Sequence, residues 1–171
     1  MKFLSIILLL LFLPSLAFAQ DESSWRQATD KELAALIPNR APVEKERIET
    51  ELRSASGVTD GKGHFIAGVL LITAGYSAHG KYTHFFIAQT PIKIGDARLK
   101  PGEYVYGYKR LDDDTLEFIF YEAATGAQVG TAKAPRESRT GPIRSLLITP
   151  PNKGKGLIQI GRFGCEYSLD K

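Results

Sequence analysis

From residue 63 onward, short runs of β-branched and aromatic residues alternate with clusters of Gly, Pro, Asp and Asn. Such spacing predicts an antiparallel sandwich or barrel. No long helical pattern interrupts the runs, which argues against a parallel α/β sheet. We therefore predict a mainly β domain over residues 61–171, an antiparallel β-sandwich of about eight strands with a barrel-like closure as the alternative. The predicted strands cover 65–73, 82–89, 92–95, 103–110, 115–122, 128–133, 143–149 and 156–163, with a last piece at 165–169.

The segment FIAGVLLI at 65–72 is apolar at both alternations of a strand. Side chains of a strand point to opposite faces in turn, so this strand would place apolar groups on both sides of the sheet. We predict a central strand that is covered on both faces.

Residues 20–60 predict a helical N-terminal segment instead. Thr29 and Glu32 match a capping box, in which each side chain bonds the backbone of the other residue. A first helix would start there and end at Pro38.

A second helix is predicted to start at Pro42, which suits a first helical turn, and to end near Gly57. Its apolar stripe is narrow, with Val43, Ile48 and Leu52 among mixed charges. We therefore expect residues 20–60 to be a weakly held appendage whose deletion leaves a folded β domain.

The first residues have the layout of a secretory signal peptide. Lys2 is followed by an apolar run, Phe3–Leu13, and then by the small-residue site Ala17–Ala19. The run is about half the ~20 residues that span a bilayer. We predict cleavage before Gln20, removal of residues 1–19, and no transmembrane segment in the mature chain.

Charge and cysteine content restrict the expected partners and cellular location of the protein. The net charge of the whole chain is +3, which gives no reason to expect a nucleic-acid partner. Cys165 is the single cysteine, so no internal disulfide forms, although exported animal proteins of this size usually carry several. The pattern favours a bacterial protein of the periplasm or a secreted one. Cys165 itself is interpreted as a small buried hydrophobe near the last strand, with a reactive thiol or a disulfide between two chains as the alternatives.

One hairpin is predicted in detail. Tyr104, Tyr106 and Tyr108 alternate along a strand, so they share one face. The three aspartates at 112–114 mark a turn. With the turn centred on residue 112 or 113, the tyrosines stand across from the apolar face of the return strand, and such pairs contribute about 0.2–1 kcal/mol each. That apolar face comprises Leu116, Phe118 and Phe120.

The segment that leads into this hairpin carries a resemblance. Leu99, Pro101, Gly102 and Tyr104 resemble the tyrosine corner of β-sandwich domains, in which the tyrosine hydroxyl bonds a backbone group just upstream. The wider segment 95–104 is similar to a strand pair in a family of exported bacterial β-sandwich proteins of unknown function. That resemblance implies a fold and export, and no activity.

The sequence gives little indication of a catalytic site. His64, His79 and His84 are the only histidines and lie within one short stretch. Three imidazoles can bind zinc, but ligands on strands usually lie two residues apart. We predict no metal site and no cofactor, and no nucleophile or nucleotide-binding motif is present.

Two features favour binding. The first is aromatic: Tyr82, His84, Tyr104, Tyr106 and Tyr108 either form a platform for a sugar or a small apolar ligand, or pack as a core ladder. His84 is expected to share a face with Tyr82.

The second feature is a basic patch. Residues 133–162 carry seven basic residues against one acidic, whereas residues 21–60 carry nine acidic and six basic. An anionic envelope surface, the acidic N-terminal segment and solvent are the three candidate partners. The patch comprises Arg136, Arg139, Arg144, Lys153 and Lys155.

These observations leave three hypotheses in order of preference. The first is a non-enzymatic exported binding or accessory module. The second is a metal-dependent or hydrolytic enzyme that uses the His64, His79 and His84 region. The third is a purely structural envelope protein.

Overall fold

The computed structural model describes residues 25–73, 81–138 and 142–170. These residues form two antiparallel sheets that pack face to face as a β-sandwich, not as a closed barrel. The predicted fold class is confirmed. The predicted signal peptide, residues 1–19, lies outside the described residues.

One helix and thirteen strands occur in the part of the chain that the structure describes. The helix α1 is Asp30–Leu36. The strands are β1 Arg26–Gln27, β2 Arg40–Val43, β3 Glu46–Thr59, β4 Phe65–Leu71, β5 His84–Ala88, β6 Ile92–Ile94, β7 Ala97–Leu99, β8 Gly102–Asp112, β9 Thr115–Glu122, β10 Gln128–Pro135, β11 Arg144–Ile148, β12 Lys155–Gly161 and β13 Phe163–Leu169.

The large sheet has eight strands in the order β1-β3-β4-β5-β8-β9-β10, with β2 paired to β3. The small sheet has five strands in the order β11-β12-β13-β6-β7. We call the face of the large sheet that packs on the small sheet the inner face, and the opposite one the outer face.

Both faces of the large sheet are covered by apolar side chains. The inner face and the small sheet share one core, whose largest members include Phe86, Phe118, Phe120 and Ile148. The outer face packs against α1 and β2 in a second core that contains Leu33 and Val43 among others. Strand β4 lies inside the large sheet with buried residues on both faces, as its sequence predicts.

The first predicted helix is confirmed. Thr29 caps α1, its hydroxyl accepts from the N–H of Glu32, and the glutamate carboxylate accepts from the N–H of Thr29 at 2.8 Å. Leu33 and Ile37 are buried against the outer face. Gly57 permits this close packing, since a Cβ there would lie 2.9 Å from Leu33 Cδ2.

The predicted second helix is wrong. Residues 40–43 form β2, and residues 46–59 form β3, the longest strand. Helix propensity is a weak prior that tertiary pairing overrides. Here β3 pairs with both β2 and β4, and Pro42 is tolerated because β2 pairs on one side only.

The predicted appendage is therefore part of the sheet. The boundary expected at residue 60 falls in the turn between β3 and β4, which are hydrogen-bonded neighbours. Ser56 also ties β3 to the small sheet, because its buried hydroxyl accepts from the N–H of Ile148 at 2.9 Å. Residues 26–59 thus hold the large sheet together and cover its outer face.

Candidate functional site

Tyr104, the first tyrosine of β8, is a structural residue. Its side chain is buried, and its hydroxyl donates to the carbonyl oxygen of Lys100 at 2.8 Å. This geometry confirms the predicted tyrosine corner. The ring and the hydroxyl of Tyr104 are therefore both engaged inside the fold.

Tyr106 and Tyr108 stand on the inner face beside Tyr104. The turn is centred on residue 113, so Tyr106 lies opposite Phe120 and Tyr108 opposite Phe118. Tyr106 is fully buried, while Tyr108 is partly buried. The tyrosines thus form the core ladder, not an exposed platform, and only Tyr108 borders open space.

Tyr82 lies apart from the other tyrosines. The prediction that it shares a face with His84 is wrong: Tyr82 belongs to the outer core, whereas His84 pairs with Tyr106 on the inner side. Tyr82 precedes β5, so strand alternation does not govern it. Its hydroxyl donates to Glu44 at 2.5 Å, and burial raises its pKa. The five predicted ligand-binding residues are therefore not one site.

His84 is buried against Tyr106. The two rings stack with centroids 4.7 Å apart and an angle of 12° between their planes. Burial lowers the pKa of His84 to about 3, so the imidazole is neutral at physiological pH. Its Nδ1 lies 2.8 Å from the hydroxyl of Thr83.

His64 and His84 lie far apart in the large sheet. His64 is in the turn before β4, with Nδ1 2.7 Å from Asp60, whereas His84 pairs with Leu70 near the other end of that strand. At about 3.3 Å per residue the two histidines are about 20 Å apart along the strand. His79 lies outside the described residues, among which no group of three potential ligands is placed to hold a metal ion.

A pocket of about 410 Å³ opens at the end of the sandwich, where the β8–β9 hairpin meets the corner between β12 and β13. We call it the arginine pocket. Its wall is apolar and its rim carries three guanidinium groups. The lining residues are Tyr108, Arg110, Leu116, Arg136, Ile143, Ile160, Gly161, Arg162 and Phe163.

Two of the arginines converge on the ring of Phe163. The guanidinium carbon of Arg136 lies 4.9 Å from the ring centroid, and that of Arg110 lies 5.5 Å away. Arg136 is neutralised by Asp114, which accepts from Nε at 2.9 Å. Arg110 makes only long bonds, 3.3 and 3.4 Å, to the carbonyl oxygens of residues 113 and 112, and no carboxylate of the described residues pairs with it.

The predicted basic patch is dispersed. Arg136 lies in the arginine pocket, whereas Arg144 lines a polar groove of about 580 Å³ between β3 and β11. Lys155 pairs with Glu166 at 2.8 Å, and Lys153 lies in the β11–β12 connection with a φ of 50°. Arg139 lies outside the described residues.

Sequence reasoning missed Arg110 and Phe163 as pocket residues. A signal for Arg110 existed, since it continues the alternation of Tyr104, Tyr106 and Tyr108 and therefore shares their face. No comparable signal marks Phe163, which reaches the pocket because the chain turns between β12 and β13.

The predicted interpretation of Cys165 is confirmed. Its side chain is buried in the inner core, and burial raises the pKa of the thiol to about 12. The thiolate is the reactive form, so burial disfavours reaction at this cysteine.

Comparisons with family models, curated proteins and solved structures find no match to this chain. No helix among the described residues is long and apolar enough to cross a bilayer. The inference of function therefore depends on the arginine pocket and on the groups around it.

Proposed function

We propose that this protein is an exported, non-enzymatic binding module of the bacterial envelope, and that its ligand is a small amphipathic anion. The ligand would place an apolar chain or ring in the arginine pocket and a carboxylate, sulfonate or phosphate at its rim. The observation that carries the proposal is the apolar wall next to Arg110, a guanidinium without a carboxylate partner among the described residues.

The wall of the pocket supplies the apolar contact. Leu116 is buried, Ile160 and Phe163 are nearly so, and Tyr108 presents an aromatic ring to the same space. A volume of about 410 Å³ lies in the range of pockets for small ligands. Apolar surface that a ligand buries here contributes roughly 25 cal/mol per Å² before the costs of association.

The rim supplies the charge. Arginine binds carboxylates and phosphates through two parallel N–H groups, and its hydration is weaker than that of lysine. The ring of Phe163 holds Arg110 and Arg136 close together. Since Asp114 already pairs with Arg136, we assign the anion chiefly to Arg110.

His64 and His84 give an enzymatic alternative little support. His84 is buried and neutral, and His64 bonds within its own turn. A catalytic base needs a reacting group within reach and a pocket to hold the substrate. Neither histidine lines the arginine pocket or the polar groove.

Fluorescence titration with 11-(dansylamino)undecanoate, an apolar chain with one carboxylate, tests the proposal. We expect saturable binding to the wild type at one site, and a loss of roughly tenfold or more in affinity for Arg110→Gln, because a charge-assisted hydrogen bond is removed. Arg40→Gln is the matched control: it removes the same charge from β2, on the far side of the large sheet. Absence of saturable binding, or an equal loss in both variants, contradicts the proposal.

Export is tested separately. Edman sequencing of the protein recovered from the periplasm or medium of a bacterial host should begin at Gln20. Recovery from the cytoplasm alone, with Met1 or the apolar run still present, contradicts the export part of the proposal and leaves the ligand part standing.

A further inference from the structure

Two buried polar atoms behind the arginine pocket lack hydrogen-bond partners. They are His84 Nε2 and the hydroxyl of Tyr106, on rings that stack against each other inside the inner core. Buried polar groups in folded proteins are nearly always hydrogen-bonded, and exceptions call for an explanation. Because the two ring centroids lie only 4.7 Å apart, a single bound group is the simplest partner for both atoms.

The hydroxyl of Thr83 lies between two groups. Its Oγ1 is 2.8 Å from Nδ1 of His84 and 3.2 Å from the carbonyl oxygen of Tyr106. In a neutral imidazole one ring nitrogen donates and the other accepts, so the tautomer decides whether Nε2 needs a donor or an acceptor.

A hydroxyl group suits both atoms, because it donates one hydrogen bond and accepts another and therefore serves either tautomer of His84. An ionised group is expensive to bury without a counter-charge. Among the described residues, no aspartate, glutamate, lysine or arginine is buried.

Tyr108 connects this pair to the arginine pocket. It lines the pocket, and its ring centroid lies 6.4 Å from that of His84. Tyr106 is two residues further along the same face of β8 and is not a lining residue, so Tyr108 lies between Tyr106 and Arg110 on this face. Along the strand, Arg110 and Tyr106 are about 13 Å apart.

We propose that the arginine pocket continues past the Tyr108 ring to His84 and Tyr106, and that its ligand is an amphipathic anion whose apolar chain ends in a hydroxyl group. The anion pairs with Arg110 and the distal hydroxyl bridges His84 Nε2 and Tyr106. This assignment rests on the proposed function, because it specifies the ligand of the same pocket.

Calorimetric titration of dodecanoate and 12-hydroxydodecanoate tests this assignment. We expect the wild type to bind the hydroxylated chain roughly tenfold more tightly, since only that chain satisfies both buried groups. Tyr106→Phe should abolish the preference, so that the two chains bind with equal affinity. Tyr167→Phe, the same change at a buried tyrosine whose hydroxyl bonds the carbonyl of Thr149, should retain the preference.

The outcomes separate the two proposals. Equal binding of both chains by the wild type overturns the inner site while the proposed function stands. Binding of neither chain, together with no saturable dansyl titration, overturns both. Should Tyr106→Phe fail to fold, His84→Phe keeps a flat ring against Tyr106 and must likewise lose the preference; a retained preference overturns the assignment.

Discussion

The two faces of the large sheet are covered in different ways. The outer face is closed by α1 and β2, which lie close to β3 along the chain, and its buried tyrosine hydroxyl, that of Tyr82, is bonded to Glu44. The inner face is covered by the small sheet, built from segments far along the chain. There His84 and Tyr106 keep polar atoms without partners, and the layer opens into the arginine pocket.

This difference separates residues that hold the fold from residues available to a ligand. A buried polar group with a partner stabilises the native state by about 0.5–1.5 kcal/mol. One without a partner costs stability, and such groups persist where they serve a function. We therefore assign stability to the outer cover and to the tyrosine corner, and binding to the far end of the inner layer.

The largest expected effect comes from removal of the outer cover. Deletion of residues 20–60 takes away β1, α1, β2 and β3 and exposes apolar side chains of the outer face, including Val69, Phe85 and Val105. We expect the truncated chain to be unfolded or aggregated, contrary to the appendage predicted from sequence. Circular dichroism and a thermal melt show whether the truncated chain is folded.

A milder variant serves as the control for this deletion. Leu33→Ala should cost about 2–5 kcal/mol, because it leaves a cavity under α1, yet should still melt cooperatively. A cooperative melt of the deleted chain near the wild-type temperature would restore the appendage interpretation and remove the distinction between the two faces.

The second largest effect concerns the tyrosine corner. Tyr104→Ala should lower the free energy of unfolding by roughly 3–5 kcal/mol, because a buried ring is replaced by a cavity in the inner core. Urea denaturation makes the measurement. Affinity for the dansyl probe should change little in the folded fraction, since Tyr104 does not line the pocket. A variant that stays stable would show that the corner is dispensable.

The sequence predicts most of the fold because apolar and polar residues alternate clearly along its strands. The alternation from Phe65 to Leu169 places nine strands where the structure has them. It misassigns β3 because Glu, Arg and Leu at 46–53 favour helices locally, whereas pairing with β2 and β4 decides the outcome. Local pattern does not contain that long-range information.

The candidate site is less predictable for a related reason. Tyr108 and Arg136 are named from sequence, and the face of Arg110 follows from alternation. The pocket itself depends on how the β8–β9 hairpin meets the β12–β13 corner, which unites residues far apart in the chain. Likewise, the stacking of His84 on Tyr106 follows from the β5–β8 register, which no turn specifies.

A fall in pH should lower the free energy of unfolding through His84. Burial lowers its pKa from 6.5 to about 3 in the fold, so below pH 6.5 the unfolded chain takes up a proton that the native state does not. The native state therefore keeps its full free energy of unfolding above pH 6.5, and the contribution of the neutral His84 is lost as the pH falls towards 3. By about pH 5 the loss amounts to about 2 kcal/mol.

A comparison of urea denaturation at neutral pH and near pH 5, in the wild type and in His84→Phe, isolates this effect. The variant lacks the titrating ring, so its loss of stability over this range should be smaller by about 2 kcal/mol. An identical pH dependence in both proteins would mean that His84 is accessible to protons in the native state.

The smallest expected effect tests the comparison most directly, since Tyr82→Phe and Tyr106→Phe remove one hydroxyl from each face. Tyr82→Phe breaks the bond to Glu44 and should cost about 0.5–1.5 kcal/mol; the partly exposed carboxylate is solvated in its place. Tyr106→Phe removes a hydroxyl without a partner and should leave stability unchanged or slightly higher. Urea denaturation of both proteins at neutral pH is the measurement.

A cost for Tyr106→Phe as large as that for Tyr82→Phe would show that the Tyr106 hydroxyl is already satisfied in the native protein. In that case the inner face would be as closed as the outer one.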